Sequence, residues 1–135
     1  MSEPVDPLAS IKWAFARPVL IVVGCHAGGE IGYVVVAGVD PPAGDSVFEQ
    51  MQAIAADDSI RKLLLHEPRG SVAVHSNIVL PSKRADCAFG YVIMEPTEYP
   101  AMSGSNTMCV ATVLLETGMV AMREPDALSA MLRSA

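Results

Sequence analysis

From Met108 to Leu115 the chain reads MCVATVLL, almost uniformly apolar, and it is led in by the small or polar residues Ser103, Gly104, Ser105, Asn106 and Thr107. Few other features limit the possible folds so sharply. The pattern predicts a helix that starts at Ser103, runs through Leu115 and closes at Glu116, Thr117 and Gly118, with Gly118 where a left-handed cap is favoured. Because this helix has almost no polar face, it is expected to be enclosed on most sides. Its first N–H groups have no intrahelical acceptor and carry partial positive charge, so the start offers a place for a carboxylate or phosphate. Gly104 would allow close approach.

The rest of the chain supplies strands and shorter helices. Pro18 to Val23 and Ile31 to Val39 are Val/Ile-rich and flank GCHAGGE, which predicts a hairpin-like opening. After the breaker PPAG, Ser46 and Glu49 stand as in a capping box, and Val47, Met51, Ile54 and Ala55 share one helical face. A helix from about Ser46 to Ala56 is expected. Asp57, Asp58 and Ser59 predict a second cap before a short helix through Leu65, closed by Pro68 and Gly70. Val72, Val74, Ile78 and Leu80 then take one parity and His75 and Asn77 the other, as in a half-buried strand; Cys87 to Met94 gives the next. Strands outnumber helices and hairpins dominate. The expected fold class is α+β, an antiparallel-rich sheet curled around a central buried helix. Residues 1–17 read as a loose lead-in and residues 126–135 as a divergent tail, leaving 18–125 as the folded unit.

Composition excludes several function classes. With 51% hydrophobic and 18% charged residues, the chain has the apolar content to bury a core. A net charge of −6 with nine Lys plus Arg is the wrong balance for nucleic acid, which needs a basic surface. PVLIVVGC imitates a lipoprotein cleavage box, but its apolar run is shorter than the roughly 7 to 15 residues of a signal core, and no stretch is long enough to span a membrane. The three cysteines form no CxxC pair, so neither a disulfide framework nor a metal site is indicated, and a cytoplasmic protein is expected. Cys109 and Cys87 read as packing residues. Cys25 lies beside His26, but neighbouring strand residues point to opposite faces. His66 and His75 have no ligand-like spacing.

Three segments together, HAGGEIGYVVVAGV, LLLHEPRG and EPTEYPAMSGSNTMCVATVLLETGMV, resemble the proline racemase family, most closely its trans-3-hydroxy-L-proline dehydratase and hydroxyproline epimerase members. The resemblance covers Pro18 to Pro125 in the expected order. It implies one half of a two-domain fold of the diaminopimelate epimerase type, in which each half curls a sheet around a central helix and the active site lies between the halves. It also implies an imino acid substrate and no cofactor.

The resemblance places the family's first acid/base position at Ser103, with Gly104 and Ser105 as the neighbours that hold the substrate carboxylate. Taken alone, Ser103 would be read as an N-cap. A hydroxyl is a far weaker base than a thiol, whose ordinary pKa lies near 8.5, so a symmetrical two-base racemase is disfavoured. A dehydratase needs only one good base: removal of the α-proton with loss of the 3-hydroxyl gives an enamine that tautomerises to 1-pyrroline-2-carboxylate. His26 falls in the family's early motif, although Gly24 replaces an expected Asp; it reads either as site-lining or as a hydrogen-bonded turn residue. Glu67, Arg69, Glu95 and Glu98 lie in matched motifs, as loop-ordering groups or as solvated charges.

A second acid/base residue, expected from the other half, is missing. The chain is therefore expected to be inactive alone and to form a homodimer or pair with a missing half. Hydroxyproline dehydratase, epimerase or racemase, inactive carboxylate-binding module and interaction subunit are the readings left open.

Overall fold

The computed structural model describes residues 18–123 and 132–134; the expected lead-in over residues 1–17 and most of the tail lie outside them. The elements are β1 (Ile21–Val23), β2 (His26–Ala27), β3 (Glu30–Ala37), α1 (Val47–Asp57), α2 (Ser59–Leu65), β4 (Val74–Pro81), β5 (Phe89–Met94), α3 (Gly104–Glu116) and β6 (Leu132–Ser134). One mixed sheet runs β1-β3-β4-β5-β6, with β2 pairing the start of β3.

The opening hairpin forms as expected, but its turn is narrower than the GCHAGGE segment. Gly28 and Gly29 both take positive φ, 60° and 91°, a conformation that favours glycine, and His26 pairs with Ile31 inside the ladder. The antiparallel expectation holds for β1, β2 and the β4–β5 pair. It fails for β3–β4 and β5–β6, which are parallel. The reason is connectivity: α1 and α2 carry the chain from β3 to β4, and parallel neighbours require such a crossover. Part of the tail, residues 132–134, supplies the strand beside β5.

Helices cover both faces of the sheet. Val35, Ile54, Leu65, Ile78, Val92 and Met94 form the core beneath α1 and α2, while Val34, Tyr91, Ile93, Cys109, Val110 and Leu114 form the core beneath α3. β4 is therefore buried on both faces and not half-buried, with Ser76 and Asn77 fully enclosed. It begins at Val74; Val72, placed in the strand by its parity, is 90% exposed within the Ser71–Val74 turn. Cys87 precedes β5 and lies outside it.

Ser46 caps α1 as its spacing indicates, its Oγ accepting from Glu49 N at 3.2 Å. Asp58 departs from expectation. It takes a left-handed conformation, φ 58°, between α1 and α2, and its carboxylate makes no cap. Gly118, φ 74°, closes α3 as expected, its N–H donating to Leu115 O. The enclosure of α3 is one-sided: Cys109, Val110, Val113 and Leu114 are buried on the sheet, whereas Met108 is 56% exposed.

Candidate active site

Ser103 stands at the N-cap of α3 in extended conformation, φ −149°. Its Oγ accepts a long hydrogen bond from Asn106 N at 3.5 Å and a shorter one from Asn106 Nδ2 at 3.0 Å, and lies 3.3 Å from Ser105 Oγ. Below it, the Thr107 hydroxyl donates to Ser103 O at 2.7 Å and the Tyr91 hydroxyl to Thr107 Oγ1 at 2.7 Å, tying the first turn to β5. Beside Gly104 the space is open: a Cβ built there meets nothing within 4 Å. The amides of Gly104 and Ser105 belong to the first turn, where no intrahelical acceptor exists.

Gly32 makes this placement possible. It is buried beneath α3, with a Cβ position 3.2 Å from Asn106 Oδ1 and 3.0 Å from Cys109 Sγ, so a side chain there would force these neighbours to shift. Gly32 aligns with His75 across the parallel ladder, which brings His75 under the same turn. His75 Nδ1 lies 3.2 Å from Asn106 Nδ2, 3.3 Å from Glu30 Oε1 and 3.9 Å from Glu95 Oε1. Asn106 Oδ1 in turn accepts from Asn77 Nδ2 at 2.8 Å.

Ser103, Gly104 and Ser105 are thus contiguous on an open helix start, but His26 is not brought to them. It is exposed and accepts from Gly29 N at 3.1 Å through Nδ1, whereas its neighbours Cys25 and Ala27 pack on the core beneath α3. Alternation along the strand turns the imidazole to the opposite face. His26 is a turn residue here. Cys25 approaches Cys109, and burial together with this second thiol pushes Cys109 up to about 11, which leaves it an inert packing residue.

The residues that sequence reasoning missed are His75, Asn77, Asn106 and Glu30. A signal existed: His75 and Asn77 are polar at alternate positions of an apolar strand, and buried polar groups need partners. Nothing local indicated that Asn106 would be that partner.

A second network fixes the segment that leads into Ser103. Arg61 Nη2 and Nε each donate to Asp58 at 2.6 Å, Arg61 Nη1 donates to Pro96 O, and Tyr99 OH donates to Asp58 Oδ1 at 2.7 Å. Arg61 and then Tyr99 hold the Asp58 carboxyl well below the usual carboxylate range. Glu67 and Arg69 are exposed beyond α2. Among the described residues no group of His, Cys, Asp and Glu side chains could hold a metal ion, and no helix is long and apolar enough to cross a membrane.

A sequence model of the family described as Proline racemase matches residues 22–132. The chain belongs to the proline racemase family. Two solved structures share its fold. A hydroxyproline epimerase from Agrobacterium vitis with bound trans-4-hydroxy-L-proline is 36% identical, with a TM-score of 0.75 over 81% of this chain and 33% of that one. A probable proline racemase from Agrobacterium radiobacter K84 with bound carbonate is also 36% identical, with a TM-score of 0.73 over 79% of this chain and 32% of that one. This proline racemase family chain spans about a third of the length of each.

Proposed function

We propose that this chain supplies the serine-bearing half of a cofactor-independent enzyme acting at the α-carbon of a hydroxylated proline, and that the reaction is dehydration of trans-3-hydroxy-L-proline to 1-pyrroline-2-carboxylate. The carrying observation is the helix start itself. Ser103 Oγ stands beside open space at Gly104, where the first-turn amides and the helix dipole favour a carboxylate. Glu30 and Glu95, gathered around His75, suit the positively charged ring nitrogen of the same zwitterion.

Serine favours dehydration over a two-base racemisation. The opposing half would supply the stronger base that removes the α-proton; the electron pair then expels the 3-hydroxyl as water, and the resulting enamine tautomerises to the imine. Ser103 serves as a proton donor or hydrogen-bonding group on its own face of the substrate. Both halves are needed to hold the reacting atoms and exclude water, so the chain by itself is inactive and pairs through the open side of α3, where Met102 and Met108 are exposed. A cytoplasmic setting is part of this proposal.

Hydroxyproline epimerisation is the second reading, favoured by the 36% identity to the Agrobacterium vitis epimerase. Proton NMR in D2O separates the two. With the opposing half supplied as a second chain, dehydration consumes trans-3-hydroxy-L-proline and yields the imine. Deuterium gained at the α-carbon of trans-4-hydroxy-L-proline, with the 3-hydroxy compound untouched, would replace this proposal by the epimerase reading.

A further inference from the structure

We infer that Asn106 and His75 are positioning residues for Ser103, holding its Oγ as a hydrogen-bond acceptor so that negative charge can develop there. This rests on the reading of Ser103 as the group that faces the substrate.

The direction of each hydrogen bond is fixed by the groups that make it. Tyr33 O is a backbone carbonyl and can only accept, so the Asn77 atom 3.2 Å from it is the amide nitrogen. That nitrogen spends its second hydrogen on Asn106, 2.8 Å away, which makes the facing Asn106 atom the oxygen. The Asn106 nitrogen is then turned the other way, with its two hydrogens directed at Ser103 Oγ, 3.0 Å, and His75 Nδ1, 3.2 Å. A fixed backbone carbonyl of β3 thus sets the polarity of the whole chain of bonds. Asn106 is only 1% exposed and Asn77 fully buried; Asn77 Oδ1 has no partner among the described residues, yet turning Asn77 would set that oxygen against Tyr33 O, and turning Asn106 would set its nitrogen against Asn77 Nδ2.

Two consequences follow for the groups at the ends. Ser103 Oγ always receives hydrogen bonds, from the Asn106 side chain and, at longer range, from its backbone N–H, at the positive end of α3. Its own proton is left for Ser105 Oγ, 3.3 Å away, or for a group outside the chain. His75 Nδ1 must accept, which fixes the tautomer with the ring proton on Nε2. A proton on Nδ1 would instead turn to Glu30 Oε1 at 3.3 Å, or to Glu95 Oε1 at 3.9 Å, and release Asn106. Glu30 from β3, Glu95 after β5 and Asn106 from α3 are the polar groups that face this nitrogen.

The test needs no turnover. In the Ser103→Cys variant, alkylation by iodoacetamide followed across pH, with peptide mass mapping to separate the three native cysteines, reads the acidity of the group at that position. The thiol is expected to ionise about one unit below its ordinary 8.5, and adding Asn106→Ala should raise it again by about one unit, roughly a tenfold slower reaction at pH 7. Asn106→Asp, which keeps the shape and the bond from Asn77 but replaces donor by acceptor, should raise it at least as far. His75→Leu should shift it the same way. His75→Asn, whose oxygen falls where Nδ1 stood, should recover most of that loss. Nitrogen-15 spectra of the unmodified chain should show the His75 proton on Nε2. An unchanged thiol titration in folded Asn106→Ala and Asn106→Asp variants, or a His75 proton on Nδ1 at neutral pH, overturns the inference. An Asn106-dependent thiol shift without substrate binding would uphold it and remove the functional reading instead.

Discussion

Gly32 and Cys109 meet where β3 passes beneath α3, and the contact is tight: a Cβ on Gly32 would stand 3.0 Å from Cys109 Sγ. The same added atom would press on Asn106 Oδ1 at 3.2 Å. The glycine therefore sets the height of the helix whose start forms the candidate site.

Gly32→Ala is accordingly expected to destabilise the fold by about 1–3 kcal/mol, the usual range for overpacking a tight core. Gly104→Ala should be nearly neutral for stability, because nothing lies within 4 Å of its Cβ position. Urea unfolding of the two variants side by side makes the comparison; equal losses would contradict this account of α3.

Ser103→Ala removes the N-cap acceptor of α3 and should lower stability by about 0.5–2 kcal/mol. Ser105→Ala, whose hydroxyl makes only the 3.3 Å contact to Ser103, should cost clearly less. Thermal melts of both variants check the order.

Asp58 gives the fold an acid sensitivity. Arg61 and Tyr99 hold its carboxyl below the range it has in the unfolded chain, so this contribution is complete above about pH 4 and is lost as the pH falls further. Arg61→Ala should lower stability at pH 7 by about 1–3 kcal/mol. Tyr99→Phe should lower it less. Both variants should lose less stability than the unmodified chain between pH 5 and pH 3, as measured by urea midpoints; an undiminished pH dependence would show that Asp58 is not its source.

Much of this was legible in local sequence. Small polar residues before an apolar run located α3 and its cap, the Ser46 to Glu49 spacing located α1, and Gly118 marked the helix end, because each depends on backbone geometry within a few residues. The parallel β3–β4 pairing was not legible, since it follows from where α1 and α2 carry the chain. For the same reason His75 looked like an isolated strand residue and His26 like a candidate. Register against Gly32 brings His75 beneath Ser103, and alternation turns His26 away. Asp58 resembled a cap in sequence, but its carboxylate is claimed by Arg61 and by Tyr99, which lies 41 residues further on.

Cys109 should resist alkylation in the native chain at neutral pH, since its thiol is 1% exposed and held up to about 11 by burial and by Cys25 beside it. Cys87, half-buried in the loop before β5, should react first. Mass spectrometry after limited iodoacetamide treatment gives the order, and early labelling of Cys109 would mean that α3 does not stay packed on the sheet.

The central claim is that the start of α3 receives the carboxylate of a proline-type substrate. Titrating trans-3-hydroxy-L-proline into nitrogen-15-labelled chain and following the amide signals tests it directly. Saturable shifts should be largest at Gly104 and Ser105, be reproduced by trans-4-hydroxy-L-proline, and be abolished by Gly104→Val in a variant that remains folded. Shifts that are absent, or that gather away from residues 103–106 and survive Gly104→Val, would contradict it.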